Sequence, residues 1–374
     1  MNSRRAANAI QENFSFADQL PNEIWLNVFG FFPNRVPLAN MAQASKRFND
    51  LSKNKALANL SFPPFKEYPD IVLTGHDQWV NSLTIFKNHI VSGSGDCTVK
   101  LWNSYTSLLQ KTFVGHRACV KVLMAFNNRI VSGSDDCTIK IWNPKSEECE
   151  KTFRGHSRTV RALAILNGKI VSGSGDGKIK IWNPKTGDCE CTLSADDSYV
   201  FSIVIYQYYI ISGSADGKIR LWNSQTQQCE HVFEAHQKDV RALVIHDHYL
   251  VSGSADQTIK IWNLQNRQCE RTIEDFDFGG WINTLAIFNN RILCGSGSSD
   301  RFILSLWNLQ TGQCEQSLDR KMCGWINAIV VHQGRIVCAC KDDNIRILSY
   351  SVKDEIEFSE EQESESEHKR LKVK

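Results

Sequence analysis

Nowhere in this 374-residue chain is there a run long and apolar enough to span a bilayer, which argues against a helical membrane protein. Charge of one sign is not in excess either. The 43 Lys and Arg stand against 41 Asp and Glu, a formal +2, so bulk charge does not point to nucleic acid. The opening stretch "MNSRRAANAIQENFSFAD" has no apolar core and is not expected to act as a secretory signal. Motifs for chemistry are missing as well: there is no G-x-S-x-G elbow, no P-loop and no H-E-x-x-H. No C-x2-C pair is set opposite another, as a zinc site would need. What remains is a chain of 42% hydrophobic residues, expected to be soluble, globular and not an enzyme.

What is present is repetition. Residues 89–103 read "HIVSGSGDCTVKLWN", residues 129–143 "RIVSGSDDCTIKIWN" and residues 169–183 "KIVSGSGDGKIKIWN". Trp102, Trp142, Trp182, Trp222 and Trp262 follow one another at intervals of forty, and Trp307 comes after forty-five because its unit carries insertions. A seventh copy, "RIVCACKDDNIRILSY", has Leu348 at the tryptophan position, giving seven units between about residues 71 and 352. Within "TIKIWN" apolar residues alternate with lysine, and "RIVSGS" is a short apolar run ended by Gly and Asp. These are strand and hairpin signals. Four strands per unit, seven times over, predict a mainly β fold, a seven-bladed β-propeller.

Gly75-His76, Gly115-His116 and Gly155-His156, each followed about twenty-six residues later by Trp-Asn, make the units resemble WD repeats. The family usually ends its unit in Trp-Asp, whereas all six tryptophans here precede asparagine, from Asn103 to Asn308. The resemblance implies a structural tetrad of histidine, serine, aspartate and tryptophan. Complete sets are His76/Ser92/Asp96/Trp102, His116/Ser132/Asp136/Trp142, His156/Ser172/Asp176/Trp182 and His236/Ser252/Asp256/Trp262. Unit four has Asp196 in place of the histidine, and units six and seven keep Asp300 and Asp342 but have Cys294 and Cys338 in place of the serine. Those three blades are expected to be held less tightly. A His-Ser-Asp set also suggests a hydrolase triad, but a set recurring blade after blade reads as structure. His246-Asp247-His248 has metal-ligating residue types, yet it falls where other units read "FNNRI", a hairpin turn. No metal or cofactor is expected.

Thirteen cysteines invite a disulfide reading. However, Cys149, Cys189, Cys229, Cys269 and Cys314 are one repeat position in successive units, too far apart for most bridges. Cys189/Cys191 and Cys338/Cys340 are C-x-C pairs within strands. Free, mostly buried thiols in a reducing compartment are expected, with a cytoplasmic or nuclear location.

The first sixty residues show no trace of the repeat. After an N-terminus (1–15) expected to be disordered, residues 16–60 contain Ile24, Val28 and Phe32 at four-residue spacing, flanked by Trp25 and Phe29, the face of a short apolar helix. Pro21 and Pro37 are each placed to begin a helix. Three short helices in so few residues bury little by themselves, which points to a partner. Leu20-Pro21-x-Glu23-Ile24, Val28-Phe29, Phe32-Pro33 and "QASKRFNDL" stand in F-box order, and the segment resembles that small all-α domain. A helical cap packed on the propeller is the alternative. The resemblance implies docking on the Skp-type adaptor of a cullin–RING ubiquitin ligase through Leu20, Pro21, Ile24, Val28, Phe29 and Leu38. Leu57-Ala58 departs from the Leu-Trp that many F-boxes carry near their end.

Residues 61–70, "SFPPFKEYPD", form a short, stiff, proline-rich linker. The following Ile71–Leu73 align with the outer strand of each unit and are expected to complete the seventh blade. The tail, 353–374, is acidic and then basic and is expected to be disordered, its "HKRLKVK" reading as a solubilising end or a weak nuclear address.

If Val80, Val120, Val160, Val200 and Val240 point into the core, their neighbours point away. Such positions line the ligand-binding top face in WD-repeat proteins, as does the residue before the tetrad aspartate. That implies Trp79, Lys121, Arg161, Tyr199, Arg241, Trp281, Trp325 and Lys341 there, with Arg158 on an adjoining loop; Phe201 and Asn81, Asn283 and Asn327 are further neighbours. A cationic arc (blades two, three and five) facing an aromatic arc (blades six, seven and one) suits a protein segment with acidic or phosphorylated residues beside apolar anchors. Two functions are open: a substrate receptor of an SCF-type ligase binding such a degron, or a non-ligase scaffold for a signalling or RNA–protein complex.

Overall fold

The computed structural model describes residues 70–195, 198–274, 279–298, 301–320 and 324–348. The chain divides into two units, Met1–Pro63 and Pro64–Lys374, and every described residue belongs to the second. The F-box expectation, most of the linker and the tail lie outside the described residues, as do Asp196 and Asp300.

Strand β1 (Ile71–Leu73) enters alone, and the first complete blade follows as β2 (Val80–Phe86), β3 (His89–Ser94), β4 (Thr98–Asn103) and β5 (Leu109–Val114), each hydrogen-bonded to the next. Five more four-stranded antiparallel blades run from β6 (Val120–Phe126) to β25 (Cys314–Arg320). The seventh consists of β26 (Ile326–His332), β27 (Arg335–Cys340) and β28 (Ile345–Leu348), with β1 as its outer strand. Ile71 pairs with Ile347, Val72 with Arg346 and Leu73 with Ile345, as the alignment of Ile71–Leu73 anticipates. The innermost strands adjoin in one closed cycle from β2 to β26 and back. The protein is mainly β, a seven-bladed propeller.

Alternation decides which side chains meet the next blade. In "TIKIWN" Ile259 and Ile261 are buried while Lys260 between them is half-buried. Glycine in "SGS" has a specific task. A Cβ on Gly133 would lie 2.7 Å from Cγ1 of Val160, and one on Gly213 2.7 Å from Cγ1 of Val240, so its absence lets the next blade's inner strand press against the sheet. Gly75, in its left-handed conformation, leaves room for the Trp102 ring edge. Between blades seven and one, Leu73, Val80, Trp102, Val337 and Ile347 share one apolar cluster.

Each complete tetrad satisfies every donor it buries. The Trp102 indole donates to Ser92 Oγ at 2.8 Å, the Ser92 hydroxyl meets His76 Nε2 at 2.7 Å, and His76 Nδ1 meets Asp96 at 2.6 Å. Because a carboxylate only accepts and an indole only donates, Nδ1 carries the imidazole proton and serine donates to Nε2. The His116, His156 and His236 sets repeat this. Burial pushes the Asp96 carboxyl up, but hydrogen bonds from His76 and Thr98 win and hold it well below the usual range. Asp136, Asp176 and Asp256 behave alike.

The three blades expected to be held less tightly carry substitute partners of their own. The strand position of Lys100, Lys140, Lys180 and Lys260 changes in the blades without a full set: it holds Arg220, Ser305 and Arg346. Arg220, 3% exposed, donates to Asp216 at 2.6 Å, and the Trp222 indole still finds Ser212 at 2.9 Å. Arg346 grips Asp342 with two donors, one at 2.8 Å. The Trp307 indole turns to Ser305 at 2.7 Å, in place of the missing serine at Cys294. A longer cation or a displaced hydroxyl thus restores what the histidine or serine would have supplied.

Asparagine after tryptophan also has a physical reason. Its Oδ1 accepts turn amides, as an aspartate would, but its Nδ2 donates to a glutamate seven residues on: Asn143 to Glu150, Asn183 to Glu190, Asn223 to Glu230, Asn263 to Glu270 and Asn308 to Glu315, at 2.7–2.9 Å. An aspartate there would set two carboxylates against each other.

The thiols were expected to be mostly buried, and for the repeat position this is wrong: Cys149, Cys189, Cys229, Cys269 and Cys314 are all exposed. They lie at or beside the start of the outermost strand, which no further strand covers.

Candidate functional site

One face of the ring is built from the connections entering the inner strands together with the turns that follow the second strands. Backbone bonds join the two in blade after blade: Gly95 donates to Trp79 at 2.9 Å, Asp135 to Cys119 at 2.9 Å, Gly175 to Thr159 at 2.8 Å and Ala215 to Tyr199 at 2.9 Å. The residues flanking each inward valine stand on this top face. The expected set therefore falls on one surface, but its internal arrangement differs from two opposed arcs.

Cations and aromatics interleave. The Arg161 guanidinium lies 5.3 Å from the Phe201 ring centre and Arg241 lies 5.6 Å from the same ring. Arg241 also sits 4.3 Å from the Trp281 ring, Trp281 stacks on Trp325 at 5.9 Å with 22° between planes, and Lys341 lies 4.3 Å from Trp325 and 4.9 Å from Trp79. A continuous ladder therefore runs from blade three through blades four to seven and on to blade one. Arg158 flanks it, 5.6 Å from the Tyr199 ring and 3.3 Å from its hydroxyl, and Tyr199 stacks on Phe201 at 6.1 Å. Lys121 stands apart from the aromatics, paired with Asp135 at 3.4 Å.

The rungs differ in how much surface they offer. Trp79 is 49% and Trp281 41% exposed, while Trp325, Arg161 and Arg241 are half-buried. Arg241 donates to Asn283 at 3.0 Å and lies 3.4 Å from Asp239. Burial pushes its guanidinium below the usual arginine range, and the like charge of Arg161 acts the same way, against the attraction of Asp239. Two donors of the ladder are left over: Nε of Arg161 and Nε of Arg241 are buried and reach no hydrogen-bond acceptor among the described residues.

Phe201, a neighbour of Val200 that the expected set passed over for Tyr199, is the ring on which both arginines converge; the same alternation that singled out Tyr199 marks it. The asparagines prove different. Asn81 donates to the Val120 carbonyl at 3.1 Å and Asn327 to the Val80 carbonyl at 2.9 Å, bolting adjacent inner strands together. His246, Asp247 and His248 lie at the turn between the first two strands of blade five, where His248 packs on Tyr249 at 4.2 Å. The adaptor-facing set Leu20, Pro21, Ile24, Val28, Phe29 and Leu38 lies outside the described residues.

Fold and face define a repeat-built interaction module, and comparison with known proteins gives its class. The WD domain, G-beta repeat, matches residues 68–103, 107–143, 147–183, 187–223 and 227–263. The protein is a seven-bladed β-propeller with WD40 repeats, a framework for binding other proteins. Among solved structures it resembles the computationally designed Ika8 protein, with 25% identity over 74% of this chain and 98% of that one and a TM-score of 0.60. A search of curated protein sequences finds no match.

Proposed function

We propose that the protein is the substrate-recognition subunit of an SCF-type cullin–RING ubiquitin ligase, working in the cytoplasm or nucleus. The propeller's top face holds a protein segment carrying acidic or phosphorylated residues, residues 16–60 dock on a Skp-type adaptor, and catalysis belongs to other subunits. The peptide-binding half rests on the two unpartnered Nε–H groups beside Phe201. A buried donor without a partner costs about 1–3 kcal/mol, which a carboxylate or phosphate oxygen relieves. Arginine presents its donors in a fork that fits such groups, and the exposed Trp79 and Trp281 supply apolar anchors. The ligase half is supported by the F-box order of Leu20-Pro21, Ile24, Val28-Phe29 and Phe32-Pro33 ahead of the repeats.

The test is retention of a purified Skp-type adaptor by the full-length chain and by Leu20→Asp/Pro21→Ala, alongside capture of acidic and phosphoserine peptides. Wild type is expected to retain both, and the variant to lose the adaptor alone. If wild type retains no adaptor, the ligase reading fails, and a scaffold assembling a signalling or RNA–protein complex takes its place.

A further inference from the structure

The connection into the inner strand ends in tryptophan in three successive blades, as Trp281, Trp325 and Trp79, where blades two to five have Cys119, Thr159, Tyr199 and Asp239. The residue before the tetrad aspartate position departs from the repeat in the same sector. Blades one to five hold Gly95, Asp135, Gly175, Ala215 and Ala255 there, whereas blade seven holds Lys341. A glycine lets the next blade's side chain close down on the turn: a Cβ on Gly175 would lie 2.5 Å from a Tyr199 ring carbon. With Lys341 in that place Trp79 stands off, 49% exposed, and the lysine ammonium is shared by two indole faces, 4.9 Å from the Trp79 ring centre and 4.3 Å from that of Trp325.

What this ammonium lacks is equally informative. It makes no hydrogen bond and no ion pair among the described residues, so the slot offers it faces and no acceptors. A bare ammonium is compact and strongly hydrated, and its N–H groups still need water there. A trimethylammonium carries no N–H and suits an aromatic slot better. Trp325 is backed by Trp281, stacked at 5.9 Å, which steadies one wall. The rim is acidic. Arg346 takes Asp342 and His76 takes Asp96. Asp77 and Asp343, two residues from Trp79 and from Lys341, have no ion pair and no side-chain hydrogen bond among the described residues, and Oδ1 of Asp343 is buried. Burial pushes the Asp343 carboxyl above the usual carboxylate range, and Asp342, Asp77 and Asp96 push the same way against His76. Since Lys341 pairs with neither carboxylate, the rim has negative charge left for a second cation.

We propose that Trp79 and Trp325 form the seat for a quaternary ammonium, the side chain of a trimethylated lysine on a bound protein segment, and that Lys341 is its internal stand-in, held in the slot until such a ligand displaces it. Because the stand-in occupies the seat in the free protein, it lowers the apparent affinity by the fraction of time the seat is filled. The proposal goes beyond the acidic segment assigned to Arg161 and Arg241, whose ring contacts are with Phe201 and Trp281, and either can fail without the other.

Tryptophan fluorescence of the full-length chain at fixed ionic strength tests this, with tetramethylammonium as the first probe and a Gly-Ser peptide bearing one central trimethyllysine as the second. Lys341→Ala empties the slot and is expected to tighten both by about tenfold over wild type. Lys341→Met removes the charge but keeps a long side chain in the slot, and is expected not to. Trp79→Ala, at an exposed position, should keep its Tm and lose both probes. The same peptide with unmodified lysine should bind about tenfold more weakly than the trimethylated one. Equal tightening by Ala and Met at position 341, probe binding that survives Trp79→Ala, or equal affinity for the two peptides overturns the proposal. So does binding to phosphatidylcholine vesicles without capture of the peptide, since the seat would then serve a lipid headgroup. If Trp79→Ala fails to fold, the contrast between Ala and Met at Lys341 still decides.

Discussion

Arg220 reaches the carboxylate of Asp216 at 2.6 Å, doing for blade four what a histidine does for blades one, two, three and five. Its side chain is almost wholly buried. Arg220→Ala is therefore expected to cost about 3 kcal/mol, the scale of breaking a buried ion pair. Lys180→Ala, at the same position in a blade with a complete tetrad, should change stability by no more than about 0.5 kcal/mol. Denaturant unfolding of the two variants tests the contrast, and equal losses would remove the compensating role of Arg220.

The tetrad aspartates predict an acid limit. In the fold Asp96, Asp136, Asp176 and Asp256 are held below their ordinary value of 3.8, so folding favours their charged form. The unfolded chain takes up protons first as pH falls. Stability from these groups is complete above about pH 5 and is lost progressively as pH drops through 3.8 and below. Thermal melts across pH 3–6 should show Tm falling steeply at the acid end, and less steeply in Asp96→Asn.

Asn263→Asp keeps the acceptor for the amides of Gln265 and Asn266 but removes the donor to Glu270. Two facing carboxylates should then destabilise blade five by about 1 kcal/mol. Adding Glu270→Gln is expected to recover part of that loss by removing the repulsion. A stable single variant would leave the Trp-Asn ending unexplained.

Arg161→Ala and Arg241→Ala should each weaken capture of an acidic or phosphorylated peptide by about 1.5–3 kcal/mol, more so at low salt. Surface position alone would suggest equal and negligible effects on folding, but the ladder separates them. Arg241 is half-buried between Phe201 and Trp281 and bonds Asn283, so its loss should cost a further 1–2 kcal/mol or so in stability. Calorimetry of binding and of unfolding reads both numbers. Unchanged peptide capture in the folded double variant would shift attention to Trp79 and Trp281.

Much of the fold was legible because the repeat states it redundantly: Gly-His, Ser-Gly-Ser and Trp-Asn each mark the period, and Val80 to Val240 mark the inner strands. Legibility failed where one position serves two purposes. Arg220 and Arg346 sit in register with lysines that merely bridge strands, so their reach back to the aspartate is invisible until the turn is folded. Phe201 looked equivalent to Tyr199, and only the convergence of two guanidiniums from neighbouring blades separates them. The outer-strand cysteines were expected to be buried as free thiols, but a repeat position by itself says nothing about whether another strand lies beyond it.

Closure by β1 has a consequence for biosynthesis. About 275 residues separate Leu73 from Leu348, the end of the strand that β1 completes. At about 5–20 residues per second, roughly 14–55 s pass between the ribosome's delivery of one and of the other. Throughout that time the blade-one face later shared with Val337 and Ile347 has no partner, and the nascent protein is an open arc with apolar flanks. A cell making this chain must shelter those flanks until the last blade arrives, so translation speed and chaperone supply, as much as the equilibrium stability of the ring, set how much of it matures.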